Sequence, residues 1–391
     1  MKKIRLTLAI FCLACLFAGC VDRRDIDEND YVVGAIFDYN TQKQRYEVHI
    51  QVALPEAFTK APGGGGQPKE TFLLYEGEGE SVFDAIRDAA KNAGKRLFWA
   101  HCDAYIVSKE LAGRGIFGVM DILIRDNEIR ETAYFYINDG TTEDLLTVKN
   151  GTEEVPMLGL KKLVDLGLKT HGTTLRKEVM DCFRDLHMEN SAYLVPLVSS
   201  RKPDVPAKEA HKKFHLTGAA VFKKDKMIGR LTSAETRGYV FAVGQIKDTL
   251  IVGNVLGKQV TFEVIGSRAE LKPRIQGDEI SFTVEVKPTI NVGQVNDPVN
   301  LEDPRFIREA EQAFNRELEQ EIQYSINKAK EMKADYFDFA RQVQLADPKL
   351  WKQVRNQWSE QLFPEMDIQV KVQSTMLRTG LLISTEIGGP K

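Results

Sequence analysis

The residue in this 391-residue chain best placed for chemistry is Cys20, which follows Phe17-Ala18-Gly19. Small residues before a cysteine let a signal peptidase reach the backbone, and the cysteine thiol is the nucleophile that takes up a diacylglyceryl group. Lys2, Lys3 and Arg5 supply a basic start, and Leu6 to Ala18 an apolar run too short to span a bilayer. Val21-Asp22-Arg23-Arg24-Asp25 turns polar at once, so the pattern reads as a lipoprotein export signal over residues 1–19. Cys15 is a rival acceptor, but hydrophobic residues continue beyond it. An ordinary secretory signal or an uncleaved anchor helix are the alternatives.

Other groupings could do chemistry by type but not by spacing. His211-x-x-x-His215 has helix-compatible metal spacing, yet it lies between a proline-rich stretch and an expected strand. In the expected strand Arg96 to Ser108, alternation would turn Cys102 away from His101 and Asp103, so the three cannot converge. Gly63 to Gly66 lack the Lys-Ser/Thr pair of a phosphate cradle. No Gly-x-Ser-x-Gly elbow occurs. Trp351 and Trp358 could hold a sugar, but a seven-residue spacing suits packing along a helix. No catalytic residue, metal site or cofactor is expected. The turn holding Asp126, Glu128 and Arg130 groups charges between an expected helix and strand. It is the candidate partner contact, with a surface ion-pair cluster as the alternative.

Charge narrows the partners. Removing residues 1–19 leaves 50 basic against 56 acidic side chains, about −6, with no basic stripe for nucleic acid. No later stretch reaches 18 uninterrupted apolar residues. After lipidation only Cys102 and Cys182 remain; a disulfide between them is open, as is burial of two free thiols.

The elements that must position these groups imply an α+β chain of three unlike domains, with mixed or antiparallel sheets and flanking helices. The first, 20–195, alternates strands and helices: strands at Tyr31 to Asp38 and Arg45 to Leu54, a helix opened by Ser81, and a helix over Lys109 to Ile124. Thr59 to Glu70 reads as a loop. Pro196, Pro203 and Pro206 mark a linker opening a small middle domain, 196–257, with a hairpin around Lys223 to Lys226 and a helix capped by Thr232 and Glu235. The last, 258–391, shows strands at Gln259 to Ile265, Arg268 to Ile275 and Glu279 to Ile290. Asp303-Pro304 and Asp347-Pro348 each open an amphipathic helix, and Met366 to Val372 closes the pattern. An antiparallel sheet packed with two long helices is expected there.

Several stretches together resemble the Ger(x)C spore-germination lipoproteins, the C subunits of nutrient germinant receptors. Gly19-Cys20-Val21-Asp22-Arg23-Arg24-Asp25-Ile26 is similar to that family's mature start, with Val21 where Trp is usual. Gly94 to His101, followed by Ile106 to Ala112, is similar to its central signature, with Ala100 and Cys102 replacing Gly and Leu. Arg125 to Arg130, Gly218 to Lys226 and Thr232 to Gly238 are like later blocks. The resemblance runs from about residue 19 to 385. It implies a non-enzymatic subunit, lipid-anchored to the outer face of the spore inner membrane beside integral-membrane A-type and B-type subunits. It supplies no germinant-binding residue and leaves direct small-molecule germinant binding open. The alternative function is an extracytoplasmic solute-binding lipoprotein of a transporter, which would show two similar lobes around a cleft.

Overall fold

The computed structural model describes residues 28–54, 71–148, 155–189, 192–202, 211–277, 279–301 and 303–378. The expected signal segment with Cys20, the expected loop over 59–70 and residues 203–210 of the expected linker lie outside the described residues.

Two sheets organise the chain. In the first, β1 (Asn29–Asn40), β5 (Ala104–Ser108), β6 (Tyr134–Asn138) and β7 (Ala192–Arg201) run parallel in that order. β2 (Arg45–Ala53) and β3 (Phe72–Gly79) add antiparallel strands beyond β1, and β8 (Lys213–Lys223) and β9 (Lys226–Leu231) do so beyond β7. A short β4 (Arg96–Phe98) pairs with the start of β1. All of β5 and β6 is buried, as parallel strands covered on both faces require.

Alternation sorts the two faces. Phe37, Tyr105, Val107, Phe135 and Ile137 point to a core shared with α1 (Val82–Lys91), α2 (Lys109–Arg114), α3 (Phe117–Arg125) and α6 (Val179–His187). Ile36, Ala104, Ile106, Tyr134 and Tyr136 point to the opposite core, closed by α4 (Thr142–Leu146) and α5 (Pro156–Thr170). Ser81 caps α1 by accepting from Asp84 N at 3.1 Å. Gly77 lets α1 press onto β3: a Cβ there would lie 2.3 Å from Ala85 O.

The second sheet orders β10 (Thr249–Val255), β11 (Lys258–Gln276), β12 (Glu279–Val295) and β13 (Asp367–Val372), with β14 (Thr375–Arg378) also on β12. Its inner face, including Phe262, Val264, Phe282 and Val284, packs on α8 (Pro304–Glu331) through Ala310, Phe314, Leu318 and Ile322. Asp303 caps α8 by accepting from Arg305 N at 2.8 Å, and Pro304 occupies its first position. α7 (Ser233–Ala242) has the expected capping box of Thr232 and Glu235.

Several expectations are corrected. The linker from 196 begins instead as strand: Pro196 sits inside β7, opposite Ala219 of β8. β7 and β8 bury Tyr193, Val195 and Phe222 on the first unit's core, and Leu194, Ala219 and Val221 on the core of the second sheet. Position 195 falls inside β7, and position 257 falls in the turn between β10 and β11. The strand expected over Arg96 to Ser108 is two, β4 and β5. The helix over Lys109 to Ile124 breaks at Gly115 (φ 134), where Ile116 N donates to Asp225 O at 2.8 Å.

In the last third, the two strands expected between Gln259 and Ile275 are one strand, β11, with irregular register near Thr261 and Val264. The sheet is mixed, because β13 and β14 lie parallel to β12. The second long helix is a broken path: α9 (Phe339–Ala346), α10 (Pro348–Val354), a π-helical turn Trp358–Leu362 and α11 (Phe363–Glu365). Asp347 ends one piece and caps the next.

Candidate functional site

The candidate partner contact Asp126, Glu128 and Arg130 lies at the edge formed by β4 and the start of β1. β4 lies parallel to the start of β1, so Asn29 is opposite Arg96 and Tyr31 opposite Phe98. Arg96 forms an ion pair with Glu128, tying β4 to the turn after α3. Within that turn, Asp126 Oδ1 accepts from Glu128 N at 2.9 Å and Asp126 O from Ile129 N at 3.2 Å, while Ile129 is buried. Asp126 and Glu128 thus have structural work, which the sequence did not show. Arg130 points to solvent and pairs with none of the described residues.

Aromatic side chains flank the same edge. The Tyr31 ring lies 5.9 Å from that of Phe98 and 5.5 Å from that of His101, and the Arg96 guanidinium stands 5.9 Å from the Phe98 centroid. His101, Cys102 and Asp103 lie in the connection from β4 to β5, not in a strand. They nevertheless part company: His101 is exposed, and Cys102 is buried with its Sγ donating to Ala104 O at 3.5 Å.

The thiols Cys102 and Cys182 are both free and buried; burial pushes each up to about 12. A thiol held so high carries almost no thiolate near neutrality and is a poor nucleophile. His215 alternates outward on β8 and His211 precedes it in irregular chain, so the pair lacks the helical spacing the sequence suggested. Among the described residues no group of three His, Cys, Asp or Glu side chains could hold a metal ion.

Trp351 and Trp358 meet edge to face at 5.4 Å inside the second unit, and Trp358 Nε1 donates to Asp335 Oδ2 at 2.9 Å. Asp335 also accepts from Phe339 N and Ala340 N. Burial still pushes its carboxyl up to about 6. Nearby is a feature the sequence reading missed: a cleft of about 520 Å³ between the two units. Lys177 and Asp185 form an ion pair on one wall, and Asp338 with Arg341 stands on the other. These residues are far apart in sequence, and no local motif joins them.

Comparison with known proteins covers nearly the whole chain. Residues 22–200 match the family described as spore germination protein N-terminal domain, and 217–380 match spore germination B3/GerAC like, C-terminal. Spore germination protein KC of Bacillus subtilis (strain 168) is 26% identical over 97% of each chain. Spore germination protein B3 of the same organism is 23% identical, over 97% of this chain and 99% of its own. The crystal structure of the GerBC protein shares the fold, with a TM-score of 0.57 at 19% identity, covering 88% of this chain and 97% of that one.

Proposed function

The chain belongs to the GerAC-like family of spore germination proteins, and from that premise we propose that it is the lipid-anchored, non-catalytic subunit of a nutrient germinant receptor. The observation that carries the reading is the succession of two family matches, 22–200 and 217–380, within relatives of the same length that are themselves named spore germination proteins. In this reading Cys20 is acylated after removal of residues 1–19, and two or more acyl chains hold the protein on the outer face of the spore inner membrane. Integral-membrane A-type and B-type subunits are its partners, and Asp126, Glu128 and Arg130 their candidate contact. The tether keeps it in a thin layer, where a weak interface gains from raised effective concentration.

A solute-binding lipoprotein is disfavoured because the two units differ. One is a three-layer unit on a sheet with a parallel centre; the other packs one sheet on α8 together with α7 and the broken path from α9 to α11. The test replaces Cys20 with Ala in spores. Loss of the membrane-bound form together with slower nutrient-triggered germination supports the proposal. Germination at the normal rate by a soluble, unmodified chain rejects it.

A further inference from the structure

The edge that carries β4 and the turn after α3 is also where the chain arrives from its proposed anchor. Glu28, the first described residue, is eight residues past Cys20. Eight residues reach at most about 28 Å, less than the roughly 40 Å length of the twelve-residue strand β1 that follows. A lipid at Cys20 therefore holds the Asn29 end of the first sheet near the bilayer and leaves the Asn40 end free to stand away from it.

The chemistry of that end suits a membrane surface. Tyr31, Phe98 and His101 form an aromatic cluster that is only partly covered, with Arg96 over Phe98. Amphipathic rings and long basic side chains are the groups that settle at headgroup level. Lys95 and Arg130 are exposed on either side and pair with none of the described residues. The acidic groups there are Glu28, Asp126, Glu128 and Glu131; Glu128 is held by Arg96 and Asp126 closes its own turn while keeping its charge, so the edge carries no excess of positive charge and the aromatic cluster and the tether length carry the argument.

We infer that this edge, comprising Tyr31, Lys95, Phe98 and His101, is the membrane-facing surface and rests on phospholipid headgroups. The inference rests on the Cys20 reading, so its test installs the tether chemically. Cys102 and Cys182 are buried, which leaves Cys20 of the mature chain as the thiol to couple to a maleimide phospholipid in protein-free vesicles. Lysine acetylation is then read by mass spectrometry at Lys95 and, at the far end of β1, at Lys43. The control is the same chain capped at Cys20 and left in solution.

On vesicles containing phosphatidylglycerol, Lys95 should react at least about threefold more slowly than in the control, with Lys43 unchanged. Equal reactivity of Lys95 in both states, or protection at Lys43 instead, overturns the inference. So does protection at Lys95 that appears only when integral-membrane subunits are added, which would assign the edge to a protein partner. None of these outcomes depends on whether cells lipidate Cys20, which intact-mass measurement of the chain from spores decides separately.

Discussion

Trp358 Nε1 donates to Asp335 Oδ2 at 2.9 Å, and this buried bond fixes the broken helical path of the second unit against the end of its long helix. Asp335 also accepts from the first amides of α9, at Phe339 and Ala340, so one carboxyl gathers three donors from two segments.

Because burial raises the Asp335 pKa to about 6, above its unfolded value, the native state binds that proton more tightly than the unfolded one. Its contribution to stability is full below about pH 4 and fades as pH rises through about 6. Asp335→Asn should lower stability throughout, since one amide oxygen cannot replace two, and should remove this part of the pH slope. Chemical denaturation of both chains between pH 4 and 7 checks it; parallel slopes would refute the assignment. Trp358→Phe, which removes the donor and also leaves a cavity where part of the fully buried indole packed, should cost more than an unsatisfied partner alone, about 1–3 kcal/mol.

Cys102 and Cys182 should stay silent to a thiol reagent in the native body of a Cys20→Ser chain, and both should react once denaturant unfolds it. Their protonated, buried state at neutral pH requires this. Rapid labelling of either thiol under native conditions would show that its cover opens.

Gly238 brings α7 against α8, with its absent Cβ only 2.3 Å from Glu321 O, and Arg237 clasps Glu321 beside it. Gly238→Ala should force the helices apart and cost about 1–3 kcal/mol, seen as a lower melting temperature. No loss would mean that the contact yields easily.

The ion pair between Arg96 and Glu128 separates structure from partner contact. Both side chains are partly exposed, so Glu128→Arg should cost at most about 1 kcal/mol, and adding Arg96→Glu should restore the pair. If the turn contacts a membrane partner, Glu128→Arg with Arg130→Glu should slow nutrient-triggered germination even though the protein folds, and the swapped pair should not rescue it. Full rescue by the swap would confine Glu128 to a structural role.

Local signals in the sequence were legible where a single segment decides the outcome. Ser81, Thr232 with Glu235, and Asp303-Pro304 mark helix starts that the structure places as expected. Relations between segments were not legible. Pro196 suggested a linker, yet it lies inside β7, where its neighbours bury both faces between two cores. The parallel course of β13 and the break after Ala346 likewise depend on what packs against them. At the candidate edge the charged turn stood out, but its tie to Arg96 and its position beside the chain entry needed β4 to be placed on β1.

The central claim, a lipid-anchored subunit that works through membrane partners, is tested most directly by affinity capture of the tagged chain from detergent-solubilised spore membranes. A mature chain beginning at an acylated Cys20 should be recovered with two integral-membrane subunits, and both features should be lost in Cys20→Ala. Recovery of the wild-type chain from the soluble fraction, unacylated and without membrane partners, would contradict it.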